Sequence, residues 1–418
     1  MRAFALNSLN FRLECAHIWP RFPTTSRRFP KSDRLLAAQN AGGWLRHRAW
    51  AMSQASSVRD GLIALIMILC GACAQAEQIK QTACEARGGI TPICGFAAPE
   101  DIDALPDGSA LIVGSLGRWD GTRGGGIQVY YPADGHIDTV YTSGDHNAAA
   151  APAHGAWGDP ECPGPPAKFS AHGLHVSSRD DGTYTLLAVN HTERESVEWF
   201  QLQRNAAGRL TATWRGCVMV DEPLWLNDIA MLADGGFVAT HMMSRSLAAS
   251  MLDRPPADGV KSGWLVIWQR GVGWKKIPGT QGALPNGVQA SLDGQIIYVD
   301  FYLENTVAAF ERNTGRLLWR AAVGGAPDNL SITPSGSLLV STHPVSLARI
   351  RDECLNKSLD LCELPFIVYT IEATTGAVRE LHAGAGAPIG GVTVAVESGG
   401  QIYLGAYAGN RIGRMPAR

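Results

Sequence analysis

Short apolar segments separated by polar turn residues recur along the chain from about residue 95 onward. The best-defined example covers 169–191, where apolar positions alternate with others, stop at Asp180-Asp181-Gly182, and resume in a second apolar segment. Two such segments around an Asp-Gly turn are typical of a β-hairpin. His172 precedes the first predicted strand and His191 follows the second, so antiparallel pairing places both histidines side by side at the open end of the hairpin.

The same order of polar residue, apolar strand, turn and second apolar strand occurs in about six copies. These copies begin at Glu100, His172, Asn227, Asn286, Asp328 and Gly390. Strand pairs that recur roughly every 40–70 residues are the signature of a β-propeller, so the pattern predicts an all-β chain with six blades. The outer strands of the blades are predicted at 126–131, 197–202, 264–269, 307–311 and 366–371, and short helices within 244–251 and 344–355.

The polar residues that begin the repeats form one chemical set. In a propeller the first strands line a central channel, and their starts meet at one mouth. Several unpaired buried oxygens are costly, and calcium removes that cost because it takes six to eight oxygen ligands. The set therefore predicts calcium in the central channel and disfavours zinc, although turn formation alone explains any one pair. Its members are Glu100, Asp101, His172, Asn227, Asp228, Asn286, Asp328 and Asn329.

Charge and motif content exclude several classes of protein. A net charge of −2 argues against a nucleic-acid partner and offers no basic surface for anionic lipid. No apolar run has the length of a membrane span. The chain contains no G-x-S-x-G elbow and no phosphate-binding loop. A propeller that only binds a ligand or protein remains an alternative to an enzyme.

The N-terminal region is predicted to direct export. Residues 52–76 contain Arg59, an apolar core at 62–69 and Ala74-Gln75-Ala76, the pattern of a cleavable secretory signal. A short buried helix is the alternative, and Cys73 is a weak candidate for lipidation. Residues 1–51 are interpreted as an over-extended start or a separate targeting segment. The remaining chain, 77–418, is predicted to be a single propeller domain in a periplasmic or secreted protein.

Six of the nine cysteines lie in that domain. An even number in an exported chain predicts disulfides, and the absence of a C-x-x-C pair there disfavours a structural zinc site. The pairs that are close in sequence are the natural choice, which leaves the other two cysteines for each other. Free buried thiols are the alternative. The predicted pairs are Cys84 with Cys94, Cys354 with Cys362, and Cys162 with Cys217.

The combination of short motifs resembles the calcium-dependent paraoxonase/arylesterase (lactonase) family. This family lies within the wider six-bladed propellers that include gluconolactonase and strictosidine-synthase relatives. The resemblance extends from about residue 95 to the end of the chain. It rests on PEDIDALPDG from Pro99, SAHG from Ser170, VNH from Val189, LNDI from Leu226, PNG from Pro285, DNL from Asp328 and THP from Thr342.

The resemblance implies a hydrolase of lactones or aryl esters with two calcium ions. His172 and His191 match the histidine pair that activates a water in the family, Asp328 is an alternative base, and His241 and His343 match further histidines near the pocket. The first set of implied ligands, for a catalytic ion, is Glu100, Asn227, Asn286, Asp328 and Asn329. The second set, for a structural ion, is Asp101, Asp228 and the backbone carbonyl of Leu174.

Two departures from the animal members of the family change what we expect. Those enzymes join their N-terminal region to the C-terminus by a disulfide, but no cysteine follows Cys362 here, so the ring is expected to close by strand pairing. Their membrane-associating N-terminal helix has no match, so lipoprotein association is not expected. A sugar lactonase of the gluconolactonase type would keep one metal and lack the pair of His172 and His191, and a condensing enzyme of the strictosidine-synthase type would not need the oxygen set.

Overall fold

The structure is a computed structural model that describes residues 82–117, 124–142, 144, 157–248, 250–251, 253–257, 259–355, 357 and 359–417. The predicted leader, the signal peptide and Cys73 lie outside the described residues, as do residues 143 and 145–156. Within the described part, no helix combines the length and apolar character that a membrane crossing requires.

The strands form six antiparallel sheets of four strands each, which confirms the predicted six-bladed β-propeller. Strands are numbered in chain order, and within each blade the first strand is the innermost. Blade 1 contains β2 (Pro99–Ala104), β3 (Leu111–Ser115), β4 (Gly126–Tyr131) and β5 (His136–Thr142). Blade 2 contains β6 (Leu174–Ser178), β7 (Tyr184–Asn190), β8 (Ser196–Arg204) and β9 (Leu210–Met219). Blade 3 contains β10 (Leu224–Met231), β11 (Phe237–Ser244), β12 (Trp264–Gln269) and β13 (Gly273–Lys276).

The second half of the ring repeats this arrangement. Blade 4 contains β14 (Pro285–Ala290), β15 (Ile296–Phe301), β16 (Thr306–Glu311) and β17 (Leu317–Ala322). Blade 5 contains β18 (Ala326–Ile332), β19 (Leu338–His343), β20 (Phe366–Ile371) and β21 (Val378–Gly384). Blade 6 contains β22 (Val392–Ser398), β23 (Gln401–Ala406), β24 (Arg411–Pro416) and β1 (Thr91–Cys94). The helical segments are short: α1 (Arg245–Ala248), a 3-10 turn (Tyr302–Glu304), α2 (Leu347–Ile350) and a π-helical turn (Arg351–Leu355).

The strand prediction is confirmed but incomplete. The segments predicted as outer strands are the third strands of their blades, and each of those blades has a fourth strand outside them that the pattern did not mark. Four of these fourth strands, β5, β13, β17 and β21, carry few buried residues, whereas β9 buries Leu210, Trp214, Cys217 and Val218. In β21, for example, no residue is fully buried. The hydrophobic alternation that reveals a strand requires one face on a core, and β5, β13, β17 and β21 lack it.

The ring closes by strand pairing, as predicted. β1 pairs antiparallel with β24, from Thr91 opposite Arg414 to Cys94 opposite Arg411, so an N-terminal strand completes the C-terminal blade. The segment before β1 is fixed by the Cys84–Cys94 disulfide and by the buried guanidinium of Arg411, which donates hydrogen bonds to the carbonyls of Thr82 and Ala83.

The other two predicted disulfides, Cys162–Cys217 and Cys354–Cys362, are also present. Three disulfides fit an oxidising compartment, as expected for an exported protein.

The core consists of apolar layers between neighbouring blades. Between blades 1 and 2, for example, the completely buried rings of Phe169 and Phe200 lie 5.6 Å apart and pack with the buried Ile127 and Leu186. Burial of each such side chain contributes about 1.5–3 kcal/mol relative to an exposed one. These layers hold the six first strands in a ring, and that ring positions the polar residues of the channel.

Candidate active site

The polar residues enter the channel at β-bulges. In blades 1, 3, 4, 5 and 6 the first strand loses its register against the second strand after one to three residues. A bulge interrupts the alternation of a strand and reorients the side chains of the extra residues. The residues at these irregular positions are Glu100 in blade 1, Asn227-Asp228 in blade 3, Asn286-Gly287 in blade 4, Asp328-Asn329 in blade 5 and Thr393 in blade 6.

The first predicted ligand set lies together at the floor of one cleft. Glu100, Asn227, Asn286 and Asp328 line it, and the amide of Asn329 donates a hydrogen bond of 3.0 Å to Glu100 Oε1. All five side chains are buried. Among the described residues, four buried oxygens of this set lack a hydrogen-bond partner: Glu100 Oε2, Asn227 Oδ1, Asn286 Oδ1 and Asn329 Oδ1.

These unpartnered oxygens fit a hard cation. Each one costs about 1–3 kcal/mol if it is buried without a partner, so the fold gains nothing from the group as it stands. Carboxylate and carboxamide oxygens are the ligands that calcium prefers. No group of three His, Cys, Asp or Glu side chains in the described part of the chain is placed to hold a metal by itself. A cation bound here would therefore need the carboxamides as ligands. That composition suits calcium and does not suit zinc.

The electrostatics of the two carboxyl groups in this set also favour a bound cation. Burial raises the pKa of Asp328 to about 7. Burial, together with the nearby charge of Asp328, also raises the pKa of Glu100 well above its ordinary value. Two buried carboxylates destabilise each other's ionised form, and a bound cation would offset both charges.

The second predicted ligand set lies close to the first, and its carboxylates join neighbouring blades. Asp101 Oδ2 accepts a hydrogen bond of 2.8 Å from the N–H of Leu174, and Asp228 Oδ2 accepts one of 2.7 Å from the N–H of Val288. Each carboxylate oxygen has further lone pairs, so these bonds leave room for a cation. Burial, followed by the charge of Asp228, raises the pKa of Asp101 well above its ordinary value, and burial raises the pKa of Asp228 to about 8.

The two histidines of the predicted hairpin meet as expected. His172 Nδ1 and His191 Nε2 are 2.7 Å apart. This series of hydrogen bonds extends to Glu195, which the sequence motifs did not indicate. His191 Nδ1 lies 2.7 Å from Glu195 Oε2, and Glu195 Oε1 accepts a hydrogen bond of 2.9 Å from the N–H of Leu226. The ring of Trp225 stacks on His191 at a centroid distance of 4.2 Å. The only sequence signal for Glu195 is that a carboxylate follows His191 by four positions.

This chain of hydrogen bonds assigns the tautomers. The carboxylate of Glu195 only accepts, so His191 Nδ1 carries a proton and its Nε2 accepts from His172 Nδ1. The remaining nitrogen of neutral His172, Nε2, then has a lone pair and lies 3.4 Å from the Asn227 amide and 3.9 Å from Glu100 Oε1. Burial, followed by the proximity of His191, lowers the pKa of His172 well below its ordinary value, which keeps the ring neutral at rest.

The two additional histidines occupy different positions. His343 lines the cleft, with Nδ1 3.2 Å from the Tyr302 hydroxyl and 3.7 Å from Asp328 Oδ2, and burial lowers its pKa to about 4. His241 does not line the cleft. Its Nδ1 accepts a hydrogen bond of 3.2 Å from the N–H of Trp225, whose ring stacks on His191.

Apolar side chains form the walls above this polar floor. α2 and the following π-helical turn cover one side of the cleft, where Leu347, Ile350 and Leu355 line it. The Cys354–Cys362 disulfide anchors that segment. A polar floor under apolar walls suits an uncharged organic molecule with one polar group directed inward. The apolar lining residues are Leu116, Met242, Met251, Leu284, Leu347, Ile350 and Leu355.

Comparison with known proteins assigns the family. The sequence model of the arylesterase family matches residues 97–411, well over half of the chain. The chain belongs to the arylesterase family. The matched range begins just before the Glu100-Asp101 pair and contains every residue of both predicted ligand sets and the histidine pair.

Individual relatives of this arylesterase-family chain are distant. Serum paraoxonase/arylesterase 1 of Mus musculus is 26% identical over 193 residues, which covers 43% of this chain and 50% of the mouse protein, so the match spans half the length of that relative. Among solved structures, a gluconolactonase from Xanthomonas campestris is 16% identical with a TM-score of 0.46, covering 81% of this chain and 94% of its own. A calcium-binding regucalcin from Agrobacterium tumefaciens is 12% identical with a TM-score of 0.42, covering 78% and 90%.

Proposed function

We propose that this protein is a calcium-dependent hydrolase of uncharged lactones or aryl esters. The observation that carries the proposal is the placement of His172, whose Nε2 is held as a hydrogen-bond acceptor beside a ring of unpartnered buried oxygens. Membership of the arylesterase family supports it. The apolar walls favour an apolar ester or lactone over a polyhydroxylated sugar lactone, which would leave its hydroxyls unpaired there.

Two groups of residues would hold the ions. Glu100, Asn227, Asn286, Asp328 and Asn329 would hold a catalytic calcium at the floor of the cleft. A second calcium, with a structural role, would be held by Asp101, Asp228 and the backbone carbonyl of Leu174. When bound, the catalytic ion supplies a Lewis acid that polarises the substrate carbonyl and offsets the negative charge developing on its oxygen.

Side chains of the protein itself accept the proton of the attacking water and stabilise the resulting charge. His172 Nε2 takes a proton from a water molecule, and the resulting hydroxide forms the new bond to the carbonyl carbon. The ester or lactone C–O bond then breaks, and the proton held by His172 passes to the leaving oxygen. The positive charge on His172 is stabilised through His191 by the carboxylate of Glu195, which also fixes the orientation of both rings. Asp328 is the alternative base. The walls, which include Met242 and Leu284, hold the apolar part of the substrate and exclude bulk water.

Hydrolysis assays on the purified protein test this proposal. Phenyl acetate and a panel of lactones with different ring sizes and side chains are supplied with excess calcium. We expect turnover of at least one of these classes, with a preference for apolar members of the panel. Demonstrable calcium binding without turnover of any member would contradict the proposal and favour a propeller that only binds its ligand.

Glu195→Gln tests the role of Glu195 as a positioning residue. The glutamine amide would donate toward His191 Nδ1, which reverses both tautomers and leaves a proton on His172 Nε2, where the base is needed. We expect kcat to fall about 10²-fold or more, while KM and the calcium-dependent rise in melting temperature stay close to wild type. Steady-state kinetics and thermal melts measure the two quantities.

Glu193→Gln is the matched control for that experiment. Glu193 lies in the same turn, is exposed, and accepts hydrogen bonds from the N–H groups of Ala167 and Lys168 at its surface position. Its variant is expected to keep wild-type kcat. Undiminished kcat in Glu195→Gln would remove Glu195 from the mechanism, and equal losses in both variants would indicate a general disturbance of the turn.

A further inference from the structure

A fifth buried carboxylate reaches the channel from a position outside both ligand sets. Asp300 lies on β15, the second strand of blade 4, and its side chain is completely buried. Its Oδ2 accepts a hydrogen bond of 3.2 Å from the N–H of Gly287. Its Oδ1 has no hydrogen-bond partner among the described residues. The sequence motifs gave no reason to select it, because it lies fourteen positions after Asn286 at the end of an apolar strand.

The equivalent positions in neighbouring blades are hydroxyl residues. The strand pairing places Asp300 opposite the Asn286-Gly287 bulge, Thr240 opposite the bulge of blade 3, and Ser341 opposite the bulge of blade 5. The hydroxyl of Thr240 accepts a hydrogen bond of 3.0 Å from the N–H of Asp228, as Asp300 does from Gly287. A neutral hydroxyl therefore fulfils this hydrogen-bonding role, and the negative charge of Asp300 needs another explanation.

Glycine at position 287 gives Asp300 access to the channel. A Cβ atom there would lie 2.7 Å from Asp300 Oδ2 and 2.8 Å from both the carbonyl oxygen of Asp328 and the Cα of Asn329. In blades 3 and 5 the second bulge residue carries a polar side chain of its own, Asp228 or Asn329. In blade 4 the carboxylate of Asp300 takes that space instead. Burial, followed by the charges of Asp328 and Asp228, one from each ligand set, raises the pKa of Asp300 well above its ordinary value.

We propose that Asp300 is an additional cation ligand of the central channel, binding through Oδ1 beside the ligand set that contains Asp328. This inference rests on the calcium sites of the proposed function. An ionised carboxylate that is completely buried next to two others is very costly unless a cation offsets it. Asp300 is the fifth buried carboxylate of the channel, after Glu100, Asp101, Asp228 and Asp328. The five negative charges exceed by one the four positive charges of two divalent ions.

Calcium affinity measured by competition with a chromophoric chelator tests this assignment. Asp300→Asn keeps the size of the side chain and removes its charge, and Asp300→Thr reproduces the hydroxyl found in blade 3. We expect both variants to bind calcium about 10–100-fold more weakly than wild type. Asp293→Asn is the matched control: Asp293 lies in the exposed turn between β14 and β15 of the same blade, and its Oδ1 accepts hydrogen bonds from the Ser291 hydroxyl and the N–H of Gln295 that an asparagine oxygen retains, so the affinity should change little.

Urea unfolding with and without calcium gives a second readout. Without calcium, Asp300→Asn is expected to be more stable than wild type because a repelling charge is gone, whereas the stabilisation gained on adding calcium is expected to shrink. Calcium affinity equal to wild type in both Asp300 variants would overturn the assignment and leave the proposed function intact. An Asp300→Asn protein that fails to fold with calcium present would also overturn it. A wild-type protein that binds no calcium would instead overturn the proposed function, and the assignment with it.

Discussion

Removal of calcium by a chelator is expected to abolish hydrolysis and to lower the melting temperature, and added calcium is expected to restore both. The physical reason is the set of four unpartnered buried oxygens, on Glu100, Asn227, Asn286 and Asn329, together with the carboxylate of Asp328. Without a cation these groups repel one another and lack partners. A site that is occupied at 100 times its Kd stabilises the folded state by about 2.7 kcal/mol, so the loss is large compared with a typical folding free energy.

The measurement follows initial rates on the best substrate of the panel alongside thermal melts, before and after chelation. Magnesium is the control ion, because it demands an octahedral site and gives up its water reluctantly, so it should restore neither quantity fully. Full activity in protein shown to be free of calcium would contradict a catalytic ion. Loss of stability without loss of activity would assign the metal a structural role alone.

His172→Gln is expected to lower kcat about 10²–10⁴-fold and to leave calcium binding unchanged. Glutamine can retain a hydrogen bond to His191 but cannot take a proton from water. The substitution removes the aromatic contact between His172 and Trp225, whose ring centroids are 6.2 Å apart, but it does not change the ligand residues at the floor of the cleft. Steady-state kinetics give kcat, and the calcium-dependent melting temperature shows that the ligand set is intact.

The control variant is His175→Gln. His175 lies on β6, three positions after His172, and its Nδ1 is 3.7 Å from Asp103 Oδ2, away from the cleft. It should keep wild-type kcat, which separates the chemistry of His172 from the general effect of replacing a histidine in blade 2. If His172→Gln also kept full kcat, His172 would not be the base, and Asp328 would become the candidate.

The sequence determined the features that depend on short-range periodicity. Alternation of apolar and polar residues, interrupted by turns of Asp or Ser with Gly, marks the first two strands of each blade and thus the number of blades. The hairpin from His172 to His191 follows from the same rule, because its two strands are adjacent in sequence and a short turn fixes their register. The motifs at Glu100, Asn227, Asn286 and Asp328 could be identified because each occurs at the same point of its repeat.

The tertiary structure decided which side chains face the same space. The hydrogen bond from Asn329 to Glu100 joins residues 229 positions apart, and no local pattern predicts it. Glu195 completes the histidine chain only through the fold of a turn, and Asp300 reaches the channel only because blade 4 has a bulge opposite it and glycine at position 287. Periodicity specifies which face of a strand is buried, whereas bulges and the packing of distant loops determine where a particular oxygen points.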